Sequence, residues 1–370
     1  MKSFTPPNRI LMGPGPSNVH PRVLEAMSRP TIGHLDPKFI ELMDEIKELL
    51  KYAFQTKNDV TFAVSGPGSV GMETCLVNLV EPGSKVLVCI NGVFGGRMKS
   101  IVERCGAKPI ALDMPWGRAI DPNLFESILK KNKGINVCSF VHAETSTGAK
   151  SDIKVLTEIA HKYNSLVIGD TVTSLGGIPV LIDEWNIDVS YSGSQKCLSC
   201  PPGLSPVTFN ERAIALIKNR KTKVQSWFMD MNLILSYWGG STKRAYHHTA
   251  PINSLYALHE SLLILKEEGI EISWKRHKAN GKKLVKELET IGLKSFVKED
   301  ERLPQLTSVT IPEGIDEARV RKSLLDDYNI EIGAGLGELA GKVWRIGLMG
   351  HSSNEENINV LVKALKNIFK

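Results

Sequence analysis

VTFAVSGPGSVGMET (60–74) opens as an apolar, β-branched run, breaks at glycines 66, 68 and 71, and continues in helix-forming residues. Strand, glycine turn and helix in that order form the unit of an α/β fold, and the turn is where such folds meet a ligand. On either side the alternation repeats. KVLVCIN (85–91), KPIALD (108–113), INVCSFVHAE (135–144), SLVIGDTV (165–172), VSYSGS (189–194) and GLSPVTF (203–209) read as strands with helix-like segments among them. Continuous apolar runs suit strands buried on both faces. Their interleaving predicts a mostly parallel sheet covered by helices.

Residues 1–20 are rich in Pro, Gly and Asn and read as an extended arm, with helical patterning from Pro21 and strongest in ELMDEIKELLKYAF (41–54). Beyond about residue 265 a smaller α/β pattern follows: a polar helix (273–291), strands at SVTIP (308–312) and KVWRIGLM (342–349), and a closing helix. SNEE (353–356) reads as its capping box, with Ser353 the cap and Glu356 reaching back. Ile358, Leu361, Val362, Leu365 and Ile368 fall on one face of that helix. The expected division is an arm (1–20), a large domain (21–265) and a small C-terminal α/β domain (266–370).

Composition excludes several classes. With 42% hydrophobic and 23% charged residues the chain is globular, and a net charge of +6 is too small for a nucleic-acid surface. No apolar run reaches membrane-spanning length, and the first residues lack a signal-peptide core. Six cysteines, four of them in strand or helix patterns, suit a reducing cytoplasmic setting. Cys197 and Cys200 form a single C-x-x-C, without the second pair a zinc site wants.

Four features fall at strand ends, where ligands of doubly wound folds bind. The first is the cradle at 65–74, suited to a phosphate. It also matches G-x-G-x-x-G, but the next strand ends in Asn91 where a nicotinamide dinucleotide site wants an acid. Asp170 follows the apolar run LVIG; it suits a pyridinium nitrogen or caps the next turn. Lys196, in YSGSQKCLSCPPG (191–203), is a lysine in apolar surroundings, which favours the uncharged nucleophile, and Ser192, Ser194 and Gln195 beside it suit phosphate oxygens. Arg345, inside an apolar strand, needs an anion: a substrate carboxylate or an internal salt bridge.

At this point the sequence resembles the class V aminotransferases, in particular the alanine–glyoxylate and serine–pyruvate group. The resemblance rests on LMGPGPSNVHPRVLEAM (11–27), SGPGSVGMETCLVNLVEPG (65–83), NGVFGGRM (91–98), AETSTG (143–148), GDTVTSLGGIP (169–179), YSGSQK (191–196), YHHTAPINSLYAL (246–258) and WRIGLMG (344–350). It implies the fold type I architecture of pyridoxal-phosphate-dependent transferases, a pyridoxal 5'-phosphate cofactor, and a homodimer with a shared active site. Lys196 matches the Schiff-base lysine and Asp170 the partner of the pyridine nitrogen. Gly68, Ser69 and Gln195 fall where phosphate ligands lie, and Tyr246 and Thr249 where residues reach the phosphate from the other subunit. Thr145 matches a hydroxyl on the ring oxygen, Val172 a residue packed on the ring, and Arg345 the carboxylate clamp. His247 and His248 are scaffold by the same match, not metal ligands. Phe94 stands where many relatives stack Trp on the ring. Pro67 and Ser69 replace a common Ser and His, leaving backbone contacts to hold the phosphate. The implied reaction is ping-pong transamination from alanine or serine to glyoxylate or pyruvate. A desulfurase or other lyase is the rival within the fold, but no cysteine follows Cys200 to serve as its nucleophile.

Overall fold

The computed structural model describes residues 1–239 and 244–369. The chain enters through a short strand, β1 (Ile10–Leu11), and two helices, α1 (Pro21–Met27) and α2 (Pro37–Phe54), each with proline in its first turn. The strands of the main sheet follow: β2 (Val60–Ser65), β3 (Lys85–Ile90), β4 (Lys108–Asp113) and β5 (Ile135–Val141). A two-stranded ribbon, β6 (Ala143–Glu144) and β7 (Ala149–Lys150), interrupts them before β8 (Leu166–Asp170), β9 (Val189–Tyr191) and β10 (Leu204–Phe209). Between β2 and β5 run α3 (Gly68–Leu79), α4 (Val93–Arg104) and α5 (Pro122–Lys131); α6 (Ile153–Lys162) precedes β8.

The sheet has the order β2-β10-β9-β8-β5-β3-β4. Six strands run parallel, and β10 lies antiparallel to both β2 and β9. The mostly parallel, mixed sheet expected from the strand pattern is therefore what forms. Because those six strands share one direction, their carboxyl ends lie along one edge. That edge receives Ser65 and the glycine turn, Asp170, and the loop after Tyr191 that leads to Lys196. Gly71 lets α3 lie close to the sheet, since a β-carbon there would strike the Ser205 hydroxyl.

After α7 (Glu211–Lys218) and α8 (Met231–Trp238), the long helices α9 (Ile252–Glu268) and α10 (Ile270–Glu289) meet at Gly269, whose φ is 88°. The C-terminal part holds β11 (Leu306–Thr310), α11 (Glu317–Tyr328), β12 (Ile330–Glu331), β13 (Gly333–Ala334), β14 (Val343–Gly347) and α12 (Glu355–Ile368). β11, β14 and β13 form an antiparallel sheet. Its apolar cluster contains Leu284, Trp344, Ile346, Leu361 and Leu365, and it also takes in Met12 from the arm. The arm is tied there: β1 pairs in parallel with β12, and Gly347 N–H donates to the Met12 carbonyl at 2.7 Å.

The capping box expected at Ser353 lies one residue away. Asn354 is the N-cap of α12 and accepts from Asn357 N–H at 2.9 Å. Ser353 instead turns inward, where the Asn280 amide donates to its carbonyl at 2.9 Å and its hydroxyl at 3.2 Å. The buried face of α12 is Ile358, Leu361, Val362 and Leu365, with Ile368 at its margin.

Candidate active site

The glycine turn delivers the first turn of α3 to the sheet edge. Among the described residues the Gly68 and Ser69 N–H groups have no acceptor, so two donors and the positive end of a twelve-residue helix dipole point outward together. Gly68 lies against Val172: a β-carbon at position 68 would stand 3.3 Å from that side chain. The Ser69 hydroxyl accepts from the Arg97 guanidinium at 2.9 Å, and the same guanidinium lies 5.1 Å over the Phe94 ring. Asn91, directly after β3, is buried and donates to the Arg118 carbonyl, so an amide with a structural bond of its own stands where a ribose-binding acid would be.

Asp170 ends β8 with its carboxylate buried. One oxygen accepts from Val172 N–H at 2.8 Å and the other from the Tyr191 hydroxyl at 2.6 Å. It thus caps its own turn and keeps a second oxygen tuned by a buried phenol. Burial pushes its pKa up to about 7, against those two donors. Lys196, 8% exposed, is pushed the other way: burial lowers its pKa to about 8. The two are near enough that each charge shifts the other's proton. The lysine amine donates to the Pro14 carbonyl of the arm, and a β-carbon on Gly15 would come within 2.5 Å of it, so the arm passes directly over the amine.

Arg345 comes from the middle of β14. Its guanidinium donates to the Ala334 carbonyl at 2.7 Å and the Thr145 carbonyl at 3.1 Å, and has no carboxylate in ion-pair range among the described residues. The internal salt bridge is therefore absent there. Burial lowers its pKa to about 10, opposed by the charge of Glu144. Glu144 is fully buried and accepts from the Ser146 hydroxyl at 2.6 Å and from Phe94 N–H at 3.2 Å, so it fixes the start of α4 and with it the Phe94 ring. Burial raises the Glu144 pKa.

Gly68, Val172, Asp170, Lys196, Thr145 and Arg345 are brought together by these contacts, while Tyr246 and Thr249 are not. Both are exposed, Tyr246 at 63%, on a segment whose histidines anchor it. His247 stacks on Trp227 at 4.7 Å, and His248 bonds the Ser65 hydroxyl at 2.8 Å. No metal-binding group of three or more side chains forms among the described residues. Ser192 and Ser194 correct an expectation. Their hydroxyls donate to the Thr171 and Pro201 carbonyls, which leaves neither proton for a phosphate. Gln195 keeps a buried amide oxygen with no partner. Cys197 and Cys200 are buried free thiols pushed up to about 12, so neither offers a thiolate.

The profile of the family Aminotransferase class-V matches residues 10–360. The chain belongs to the class-V aminotransferases. It is an enzyme of the transaminating kind, and its neighbours share its architecture throughout. An alanine–glyoxylate aminotransferase of Rattus norvegicus is 43% identical over 99% of this chain and 88% of its own length. The crystal structure of an alanine–glyoxylate aminotransferase from Nostoc sp. is 46% identical, with a TM-score of 0.98 over 100% of this chain and 97% of that one. A ureidoglycine–glyoxylate aminotransferase from Bacillus subtilis is 38% identical, with a TM-score of 0.97 over 100% and 94%. Within this class-V aminotransferase two site groups escaped the sequence reading: Tyr191, two residues into VSYSGS, and Glu144, directly before Thr145. A polar residue inside an otherwise buried strand run was the available signal for both.

Proposed function

We propose that this chain is a pyridoxal-phosphate-dependent aminotransferase that moves the amino group of alanine or serine to glyoxylate or pyruvate. The observation that carries the reading is a buried amine near pKa 8 and a buried carboxyl near pKa 7 acting on each other at one sheet edge, beside a helix start with free N–H groups. Those three features fit the aldehyde, ring nitrogen and phosphate of the cofactor that the family implies. When bound, pyridoxal phosphate supplies an aldehyde for amino groups and a ring that withdraws electrons.

The chain's own residues do the rest. Gly68 and Ser69 N–H groups and the Gln195 side chain would hold the phosphate, joined by Tyr246 and Thr249 from a second copy in a homodimer. Phe94 and Val172 would flank the ring, and Thr145 would meet its oxygen. Asp170 would keep a proton at the ring nitrogen. Lys196 Nζ, uncharged above its lowered pKa, takes the proton from the substrate Cα and gives one back. Arg345 binds the carboxylate that donor and acceptor share, so one pocket serves both half-reactions in turn. Glyoxylate is the better-supported acceptor, because the rat, Nostoc and Bacillus relatives all carry it in their names, beside alanine in the first two and ureidoglycine in the third.

The exposed Tyr246 and Trp227 support the homodimer. Among the described residues no helix is long and apolar enough to cross a membrane; the proposed setting is the cytoplasm. The arm, large domain and small domain divide at residues 20 and 265 in this reading. The test is a half-reaction panel: the enzyme loaded with the amino form of the cofactor, mixed with glyoxylate, pyruvate, oxaloacetate and 2-oxoglutarate. Glyoxylate is expected to react fastest. Lys196→Ala should slow exchange of the alanine Cα proton by roughly 10²–10⁴-fold, and a variant that turned over normally would sink the reading.

A further inference from the structure

We propose that Tyr191 is a positioning residue that keeps Asp170 ionised, so that the proton Asp170 would share with a bound pyridoxal ring rests on the ring nitrogen and not on the carboxyl. The role rests on the functional reading above, in which Tyr191 itself has no part.

β8 and β9 lie side by side in parallel, with Asp170 opposite Tyr191. Tyr191 is fully buried, and its hydroxyl donates to Asp170 at 2.6 Å, a length typical of a bond to a charged acceptor. Its backbone is fixed as well: the Tyr191 carbonyl accepts from the Thr171 N–H and from the Thr171 hydroxyl, each at 2.9 Å. α3 closes over it, since a β-carbon on Gly71 would stand 3.2 Å from the Tyr191 Cβ. Burial, then the charge of Asp170, raise the phenol's own pKa, so it stays a donor.

With Val172 N–H on the other oxygen, each oxygen of the Asp170 carboxylate holds one donor. Both bonds favour the ionised carboxyl. Burial and the negative charge of Glu144 on β6 oppose them, while Lys196 in the loop after β9 supports them. Cys75 on α3, also a titratable neighbour, is a buried thiol held neutral. Val172 contributes only backbone, so among the described residues the Tyr191 hydroxyl is the side-chain donor that holds this balance. An Asp170 that took the proton for itself would weaken the ring's withdrawal of electrons.

The experiment compares Tyr191→Phe, which removes one oxygen and keeps the ring, with 3-fluorotyrosine installed at position 191 alone, whose more acidic phenol donates more strongly. In the cofactor-free protein, urea titrations across pH locate the midpoint at which Asp170 loses its proton, about 7 in the wild type. Tyr191→Phe is expected to raise that midpoint by roughly one to two pH units, and 3-fluorotyrosine to lower it. The holoenzyme is then loaded with pyridoxal phosphate isotopically labelled at the ring nitrogen. At neutral pH the wild-type nitrogen resonance is expected at its protonated position and that of Tyr191→Phe displaced toward the unprotonated one. For alanine, kcat should fall about tenfold while KM changes less than about twofold. A midpoint that moves with neither substitution, or a ring nitrogen equally protonated in wild type and Tyr191→Phe, would overturn the assignment and leave the functional reading intact. Wild-type protein that takes up no pyridoxal phosphate would overturn both. If Tyr191→Phe does not fold, the direction of the fluorotyrosine midpoint decides.

Discussion

Asp170 is a carboxyl that the folded chain keeps close to half-protonated at neutral pH, and this has a cost in the cofactor-free protein. Its folded pKa, about 7, lies above the ordinary 3.8. The stability tied to that proton is therefore complete below about pH 4 and lost as pH rises through 7. Asp170→Asn removes the dependence. In urea titrations of the cofactor-free protein, the variant should gain on the wild type by about 2.6 kcal/mol between pH 5 and pH 8. A difference that stays flat across that interval would contradict the assignment. Lys196, Asp170 and Arg345 were legible in the sequence because a charged residue in an apolar run has few uses. Glu144 and Tyr191 were not, because their importance lies in partners far along the chain. Ser192 and Ser194 misled for a related reason: a hydroxyl at a strand end looks like a ligand group, and only the fold shows that a carbonyl has already taken its proton.

Among the elements, the strand runs of the main sheet were readable almost to their ends, since β-branched apolar residues buried on both faces leave an unbroken signature. Direction left no such mark. β10 is as apolar as its neighbours, yet it runs against both of them, and the loop geometry around Pro201, Pro202 and Gly203 that turns it back is set by tertiary contacts. The C-terminal part shows the same gap: β12, which pairs with β1, and β13, in the small antiparallel sheet, are two residues each, too short for any periodicity. At α12, two adjacent residues, Ser353 and Asn354, could each cap, and packing against Asn280 chose between them. Asn354→Ala should lower stability by about 1 kcal/mol in chemical denaturation. Ser353→Ala, measured the same way, tests a different bond, the one to Asn280, and its effect should disappear in an Asn280→Ala background.

For the whole molecule, the central question is whether one chain completes a site. Lys196 faces the inside of its own chain, whereas Tyr246 and Thr249 face away from it. If a second copy supplies them, two defective variants can repair each other. Lys196→Ala and Tyr246→Ala chains, unfolded together and refolded one to one, should recover roughly a quarter of wild-type activity, since half the random pairs are mixed and each has one intact site. No recovery above the separate variants would mean that each chain is self-sufficient. The N-terminal arm adds a constraint of its own. It is fastened at Met12 to the strand that bears Arg345, and two residues later its carbonyl rests on the amine of Lys196. Three residues of backbone thus couple the strand of Arg345 to the amine of Lys196, and a displacement of either end would be transmitted to the other through Met12 and Pro14.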